Sequence, residues 1–581
     1  MTVPMDISAK ASDLGVETGF VDAMGQWRAA DPAALAAVIE ALGEDAAVEG
    51  DTAPPRLAFG GNFDRVWVPA VQLYAMRSAR NWGIGDFSDL RRLIAWAADS
   101  GAAGVGLSPL HALSDVAVDC SPYAPSSRLF LNWLLIDVAA LPELPRDYLT
   151  THAAVIARLR EGDAIDYAAV AARKRHALAA AFAAFKTGAS GRRRATFAAF
   201  RRAGGAALER FAAFEVLRGE YGGPWWRWPV DWRIPNDARV AALRAGPRGE
   251  AMEAVEFAQW CAHEQLAECC EFAVRRRLPV GLYLDLAVGV RPDGFDAWHE
   301  QGAISRRLSV GAPPDLLSTA GQNWGLAGFN AAGLARRDHA PLREMLRAAM
   351  RYAGAVRLDH AMGLKRLYLI PHGFAADRGV YVRMPFEALL AVVAEESRQH
   401  RTIVIGEDLG TVPEGFRETL AAWGIWRMRV MMFEREHDGA FRAADTYPPD
   451  TLATFGTHDL ATFAGWVRGH DIALKHALGI DPGESIEARH AAVAQLRCAL
   501  GGHDDVFAAI GFLASAPSRI LAVMVEDLLG LVDQPNVPGT LGGHPNWRRR
   551  LPVAIEDFAA AIDIARLKRA VGVRGLSPEP D

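Results

Sequence analysis

Cysteine is scarce in this chain: there are five in 581 residues, with no regular spacing. That excludes a disulfide framework and makes a reducing, cytoplasmic compartment the expectation. Long apolar runs are missing as well. No stretch of about 18 apolar residues suggests a membrane span. The opening Met1-Thr2-Val3-Pro4-Met5-Asp6 lacks the basic-then-apolar order of a signal peptide. Positive charge is not in excess either, since the formal net charge is −6. The arginine clusters at 192–194, 275–277 and 548–550 are short and read as solvated faces or ion pairs. Neither a nucleic-acid partner nor a membrane partner is expected.

Several chemical signatures are absent too. There is no Gly-x-x-x-x-Gly-Lys-Ser/Thr phosphate loop. Asn81-Trp82-Gly83-Ile84-Gly85-Asp86 holds two glycines without the strand-then-helix setting of a dinucleotide site. His263-Glu264 is followed by Ala267 where a second zinc-binding His would be needed. Cys261, Cys269 and Cys270 lack paired zinc spacing. Leu73-Tyr74-Ala75-Met76-Arg77 has no His-x-His pair of the kind a metal-dependent barrel hydrolase would place on its first strand.

What is present is enough apolar sequence for a large core: 51% hydrophobic against 23% charged. Residues 1–60 read as short helices, one with Asp31 as cap and Pro32 at its first position, running to Gly43. The acidic, proline-containing 44–55 reads as a linker. From there apolar runs alternate with helical patterns, the signature of βα units around a parallel sheet. Eight runs are candidate strands: 66–76, 104–110, 280–288, 355–362, 402–409, 426–434, 452–460 and 520–528. Eight in one series predict an α/β fold, a (β/α)8 TIM barrel over 61–581 with its active site at the C-terminal strand ends. Large insertions interrupt the early strands. Residues 111–265 form one, whose later part is alanine- and arginine-rich and mostly helical. It breaks at Gly222-Gly223-Pro224-Trp225-Trp226-Arg227-Trp228-Pro229. The tryptophans there are expected to pack a subdomain core rather than a sugar. Residues 310–330 read as a glycine-rich active-site loop after the third strand. A polar tail closes the chain at 577–581.

Charged residues sit where these strands end. Ala355-Val356-Arg357-Leu358-Asp359-His360 places an arginine and an aspartate two residues apart, so both point to one face. The guanidinium favours the ionised carboxylate, as a nucleophile requires. A purely structural ion pair would look the same at this point. Other runs end in Asp285, Glu407-Asp408, Asp459 and Glu526-Asp527. A ring of acids at one face costs stability by like-charge repulsion, and it points to a metal or to acid/base chemistry. Glycoside chemistry needs two carboxyls about one bond, one ionised and one protonated. Asp359 suits the first role and Glu407 the second, while Asp408 alternates to the other face. Asp459, with His458 and His360, would hold sugar hydroxyls.

These residues fall in motifs: Ser78-Ala79-Arg80-Asn81-Trp82-Gly83-Ile84-Gly85-Asp86-Phe87, Ser121-Pro122-Tyr123, Gly321-Gln322-Asn323-Trp324-Gly325, Arg357-Leu358-Asp359-His360, Gly406-Glu407-Asp408-Leu409-Gly410, Thr457-His458-Asp459 and Gln534-Pro535-Asn536-Val537-Pro538-Gly539-Thr540. From about residue 5 to the C-terminus the chain resembles the 4-α-glucanotransferases of the amylomaltase (disproportionating enzyme) type, glycoside hydrolase family 77 of the α-amylase clan. The resemblance implies transfer of α-1,4-glucan segments from a maltooligosaccharide donor to glucose or another maltooligosaccharide, with retention and with release of glucose. It implies no metal and no organic cofactor. It makes Asp359 the nucleophile of a β-glucosyl-enzyme, Glu407 the acid and base, and Asp459 the stabiliser of the distorted donor sugar. Arg357 would orient Asp359, and His458 and Tyr123 would line the donor subsite. Trp324 and Asn536 would be sugar contacts, and a loop from Asp315 would overhang the acceptor side and exclude water. The Asp359 and Glu407 carboxyls would stand about 5–5.5 Å apart. Two departures are visible: Leu316 and Leu317 follow Asp315 where the family often has aromatics, and Ala361 follows His360. A hydrolase of the same clan and a non-catalytic glucan-binding barrel are the competing readings, and the intact acids argue against the second.

Overall fold

Eight parallel strands follow one another in chain order and close into a barrel. They are β1 (Val66–Val71), β2 (Gly104–Leu107), β3 (Gly281–Leu286), β4 (Ala355–Leu358), β5 (Ile403–Gly406), β6 (Trp426–Val430), β7 (Thr451–Thr454) and β8 (Ile520–Met524). β8 pairs back onto β1, Ile520 beside Val66. The computed structural model describes residues 5–22, 25–43, 54–114, 119–315, 318–540 and 542–575. Residues 44–53 of the expected 44–55 linker, Leu316, Leu317 and the tail at 577–581 lie outside them.

Each of the eight apolar runs holds one strand, as predicted, but the strands stop before the runs do. β7 ends at Thr454, so 455–459 is loop, and Val525–Leu528 is one turn of helix. The apolar signal continues because Phe455, Val525 and Leu528 are buried over the barrel end without being paired in the sheet.

A second sheet escapes the alternation pattern. Ile304–Ala312, Gln322–Phe329, Arg366–Pro371 and Val380–Arg383 form four antiparallel strands. The segment read as a loop over 310–330 is therefore largely a hairpin, whose register shifts between Ser305 and Val310 and again between Val310 and Gly311. Glycine hides it. At Gly311 a Cβ would lie 2.1 Å from the Gln322 carbonyl oxygen, so the close strand approach requires glycine there. The N-terminal segment also holds a hairpin, Gly19–Val21 against Trp27–Ala29, between helices Met5–Asp13 and Pro32–Leu42. Three-residue strands are too short to show a period. Asp31 caps the second helix as expected, accepting the N–H groups of Ala33 and Ala34 at 3.0 and 2.9 Å.

The insertion after β2 is helical, with long helices at Tyr167–Gly188, Gly191–Tyr221 and Gly249–Arg275. Trp225 and Trp228 are buried with Phe211, Phe214, Phe295 and Trp298 in a core of their own, so these tryptophans pack rather than face solvent. The Ser78–Phe87 stretch is likewise architectural. Arg80 pairs with Asp86 at 2.7 Å and with Asp137, while the buried Lys174 ammonium donates to the Leu134 and Ile136 carbonyls at 2.6 and 2.8 Å. Asp86 and Asp89 form a reciprocal cap on helix Phe87–Asp99. The network fixes the first βα unit, and with it the wall of the barrel mouth.

Candidate active site

Parallel register brings the charges together. On β4, Arg357 lies beside Asp285 of β3 on one side and beside Ile405 of β5 on the other. Residues in register share a face, so Asp285, Arg357 and Asp359 point inward, and so does Glu407, two residues past Ile405. Asp408 takes the opposite face. It is fully buried there, with its carboxylate accepting Arg417 Nε at 2.8 Å.

One guanidinium binds three carboxylates. Arg357 Nη1 donates to both oxygens of Asp285 at 2.9 and 3.0 Å and to Asp359 Oδ1 at 2.9 Å. Its Nη2 lies 3.9 Å from Glu407 Oε2. The other Asp359 oxygen accepts the Val288 N–H at 3.4 Å. Glu407 accepts two backbone N–H groups, from His360 at 3.0 Å and from Leu409 at 2.6 Å. Burial pushes its carboxyl up to about 7; Arg357 opposes this and the Asp359 charge adds to it. A carboxyl raised to about 7 can carry the proton that acid-assisted glycosyl chemistry needs, and the Asp359 carboxylate beside it is paired with a guanidinium.

A second set of contacts runs from Asp285 to the barrel's far side. The Tyr123 hydroxyl donates to Asp285 Oδ2 at 2.6 Å and lies 3.0 Å from His458 Nδ1. Its only proton is used on Asp285, so His458 Nδ1 must donate. His458 Nε2 faces Asp459 Oδ2 at 3.1 Å and donates as well, which makes the ring an imidazolium. The charge balance agrees. Burial lowers the His458 pKa, but Asp459 outweighs it, and the net shift is upward. Burial raises that of Asp459, but His458 and Asn536 outweigh it, and the net shift is downward. Asn536 Nδ2 donates to the remaining Asp459 oxygen at 2.6 Å.

The predicted residues Asp359, Glu407, Asp459, Arg357, Tyr123, His458 and Asn536 thus form one continuous set of contacts. Trp324 joins it edge-on to the His360 ring, centroids 5.2 Å apart. Asp315 stands in the hairpin turn, where Oδ1 accepts the Ser318 N–H at 2.7 Å. Asp527 accepts the Phe463 N–H at 2.6 Å, and Glu526, near enough to His458 to feel its charge, has Oε2 buried without a hydrogen bond among the described residues.

Sequence reasoning misses two parts. Asp285 is one strand-end acid among several, and only the register shows that it shares Arg357 with Asp359. Trp547 carries no signal, lying in a proline- and glycine-rich loop. Its ring packs on Tyr123 and His458, with centroids at 5.4 and 5.5 Å, and it holds a left-handed φ of 60°. That backbone is strained for a bulky residue.

Known proteins share this architecture. A family model described as 4-alpha-glucanotransferase matches residues 71–555. The 4-alpha-glucanotransferase of Mycobacterium tuberculosis (strain ATCC 25618 / H37Rv) is 36% identical over 552 residues, covering 88% of this chain and 76% of that protein. The 4-alpha-glucanotransferase of Haemophilus influenzae is 35% identical over 530 residues, covering 84% and 75%. The crystal structure of amylomaltase from Corynebacterium glutamicum superimposes with a TM-score of 0.83 at 26% identity, covering 98% of this chain and 99% of that one.

Proposed function

Because the chain belongs to the 4-alpha-glucanotransferase family, whose members transfer glucan segments, we propose that it does so by double displacement between Asp359 and Glu407. The observation that carries this reading is Arg357, one cation shared by Asp285, Asp359 and Glu407. Asp359 attacks the anomeric carbon of an α-1,4-linked donor. The bond from that carbon to the leaving 4-oxygen breaks, and Glu407 gives its proton to that oxygen. The β-glucosyl ester then meets the 4-hydroxyl of an acceptor sugar. Glu407 takes the hydroxyl proton, the new glycosidic bond forms, and Asp359 leaves as carboxylate. One bond is broken and one is made, and donor, acceptor and two carboxyls balance both steps.

The other residues hold the donor. In the Asp459–His458 pair the carboxylate's remaining lone pairs accept sugar hydroxyls, while both His458 ring nitrogens are taken up by Tyr123 and Asp459, and Asn536 fixes the carboxylate's orientation. Tyr123 ties that pair to Asp285 and so to the nucleophile's arginine. Trp324 and Asp315 would act on the acceptor side and favour a sugar hydroxyl over water. All five cysteines are unpaired, which suits a reducing cytoplasm. Among the described residues no helix is long and apolar enough to cross a membrane.

Incubation with maltotriose alone, with products resolved by size, tests the reading. Glucose with maltopentaose and longer chains is expected, because hydrolysis cannot lengthen a chain. Glucose and maltose without longer products would make the protein a hydrolase.

A further inference from the structure

A groove of about 1040 Å³ runs between the N-terminal hairpin and the segment that follows Glu407. That is the size of a substantial ligand site, the usual range being about 300–1,000 Å³. Trp27 lines one side, Glu414 and Arg417 the other, and Glu17, Arg366 and Arg383 lie between them. Gly410, also in its wall, is three residues beyond Glu407, a length of chain that reaches at most about 11 Å. Glu407 itself does not line the groove, which runs from the chain just beyond it to the hairpin.

Two of its side chains have no structural explanation. Trp27 is 65% exposed, unusual for the largest apolar side chain. It is nevertheless held in place. A Cβ on Gly19, in the facing strand, would lie 2.4 Å from Trp27 Cζ2, so the indole rests across a bare glycine backbone. Arg383 is exposed, and among the described residues its side chain has no hydrogen bond or ion pair. Its neighbours are occupied: Arg366 pairs with Glu17 at 2.8 Å and lies 3.9 Å over the Tyr381 ring, and Arg417 pairs with Asp408 at 2.8 Å.

The chemistry selects the ligand. Guanidinium groups at 366, 383 and 417 share the lining with carboxylates at 17, 22 and 414. An anion would be repelled by the carboxylates, and an apolar ligand would strip water from charges without replacing it. A neutral polyhydroxylated chain meets both. Its hydroxyls donate to carboxylates and accept from guanidiniums, and the C–H face of a sugar ring stacks on indole. We propose that this groove binds an α-1,4-glucan chain, with Trp27 as stacking platform and Arg383 as hydroxyl-binding donor. It extends the grip on long glucans beyond the residues around Asp359 and Glu407. The inference rests on the transferase reading above for its choice of sugar.

The test compares Trp27→Ala and Arg383→Ala with wild type on amylose and on maltotriose. In each variant KM for amylose should rise about fivefold, the size of one aromatic or charged contact. Maltotriose kinetics and the melting temperature should stay as in wild type, since a short substrate is held at the acids alone. An unchanged amylose KM in both variants, or an equal loss on both substrates, overturns the groove. So does thermal stabilisation by inorganic phosphate that Arg383→Ala removes, which would make it an anion site. Retardation in amylose-containing gels, measured in a Glu407→Gln background, reads binding without turnover. It should weaken clearly when Trp27→Ala is added, and unaltered retardation counts against the proposal. A wild type that lengthens maltotriose while both variants keep the wild-type amylose KM sinks the groove alone. A wild type that never lengthens maltotriose sinks the transferase reading, and the gel assay still decides the groove.

Discussion

The Glu407 carboxylate accepts the N–H of His360 at 3.0 Å, so the proposed acid/base is tied to the residue that follows the proposed nucleophile. His360 holds a left-handed φ of 48°, costly for a residue with a side chain, and this conformation accompanies an N–H aimed at β5. With Leu409 donating to the other oxygen at 2.6 Å, the carboxyl cannot swing away. Glu407→Gln keeps the size, satisfies one of the two donors and cannot carry a proton. We expect kcat to fall by about 10²–10⁴-fold, the usual worth of a general acid/base, with the fold intact by circular dichroism. Undiminished glucose release from maltotriose would remove Glu407 from that role.

The same carboxyl sets the pH dependence. The first half-reaction needs its proton, and the group lies at about 7. Above that the protonated fraction falls, so kcat/KM for the donor should decline toward tenfold per pH unit. Initial rates between pH 6 and 9 at low maltotriose concentration check this. A flat profile over that range would mean that another group delivers the proton.

Much of this site is legible in the order of residues alone. The alternation rule places Arg357 and Asp359 on one face and Asp408 on the other, because strand geometry is local. Eight apolar runs in series suffice for the barrel. Non-local facts are not legible. That Asp285 shares Arg357 depends on the register between β3 and β4, and that Trp547 covers Tyr123 depends on a loop distant in sequence. The hairpin at 304–329 is hidden by glycines needed for close backbone approach, which lower strand propensity where a strand exists.

Tyr123 joins the two halves of the site through its hydroxyl and its ring. The ring stacks on His458 with centroids 4.3 Å apart. Tyr123→Phe keeps the stack and deletes the hydroxyl, leaving Asp285 Oδ2 and the His458 Nδ1 proton without their partner. A lost hydrogen bond to buried charged groups costs about 1.5–3 kcal/mol. If about half is felt in the transition state, kcat/KM for maltotriose drops about tenfold. Tyr123→Ala should be worse, because the ring's packing on His458 and Trp547 goes too. Equal activity of Phe and wild type would show that the hydroxyl contacts are structural only.

Glu526 tests the cost of the buried acids that the site does not use. Burial raises its carboxyl from the ordinary 4.5 to about 7, and Oε2 has no hydrogen bond among the described residues. The folded chain therefore holds a proton there that the unfolded chain releases between pH 4.5 and about 7. When the native state binds more protons, stability falls as pH rises. Asp86, Asp527 and Glu407 are raised to about 7 as well and act in the same direction, while the buried His111, His299 and His360, lowered to about 3, 4 and 4, act in the opposite one, so the Glu526 effect is read as a difference from wild type. Glu526→Gln removes this one titration and leaves the side-chain volume nearly unchanged. Its melting temperature should gain on that of wild type as pH rises from 5 to 8, with the largest gap at pH 8. Identical slopes for the two proteins would mean that Glu526 enters the fold ionised, and a cation near Oε2 would then have to be sought.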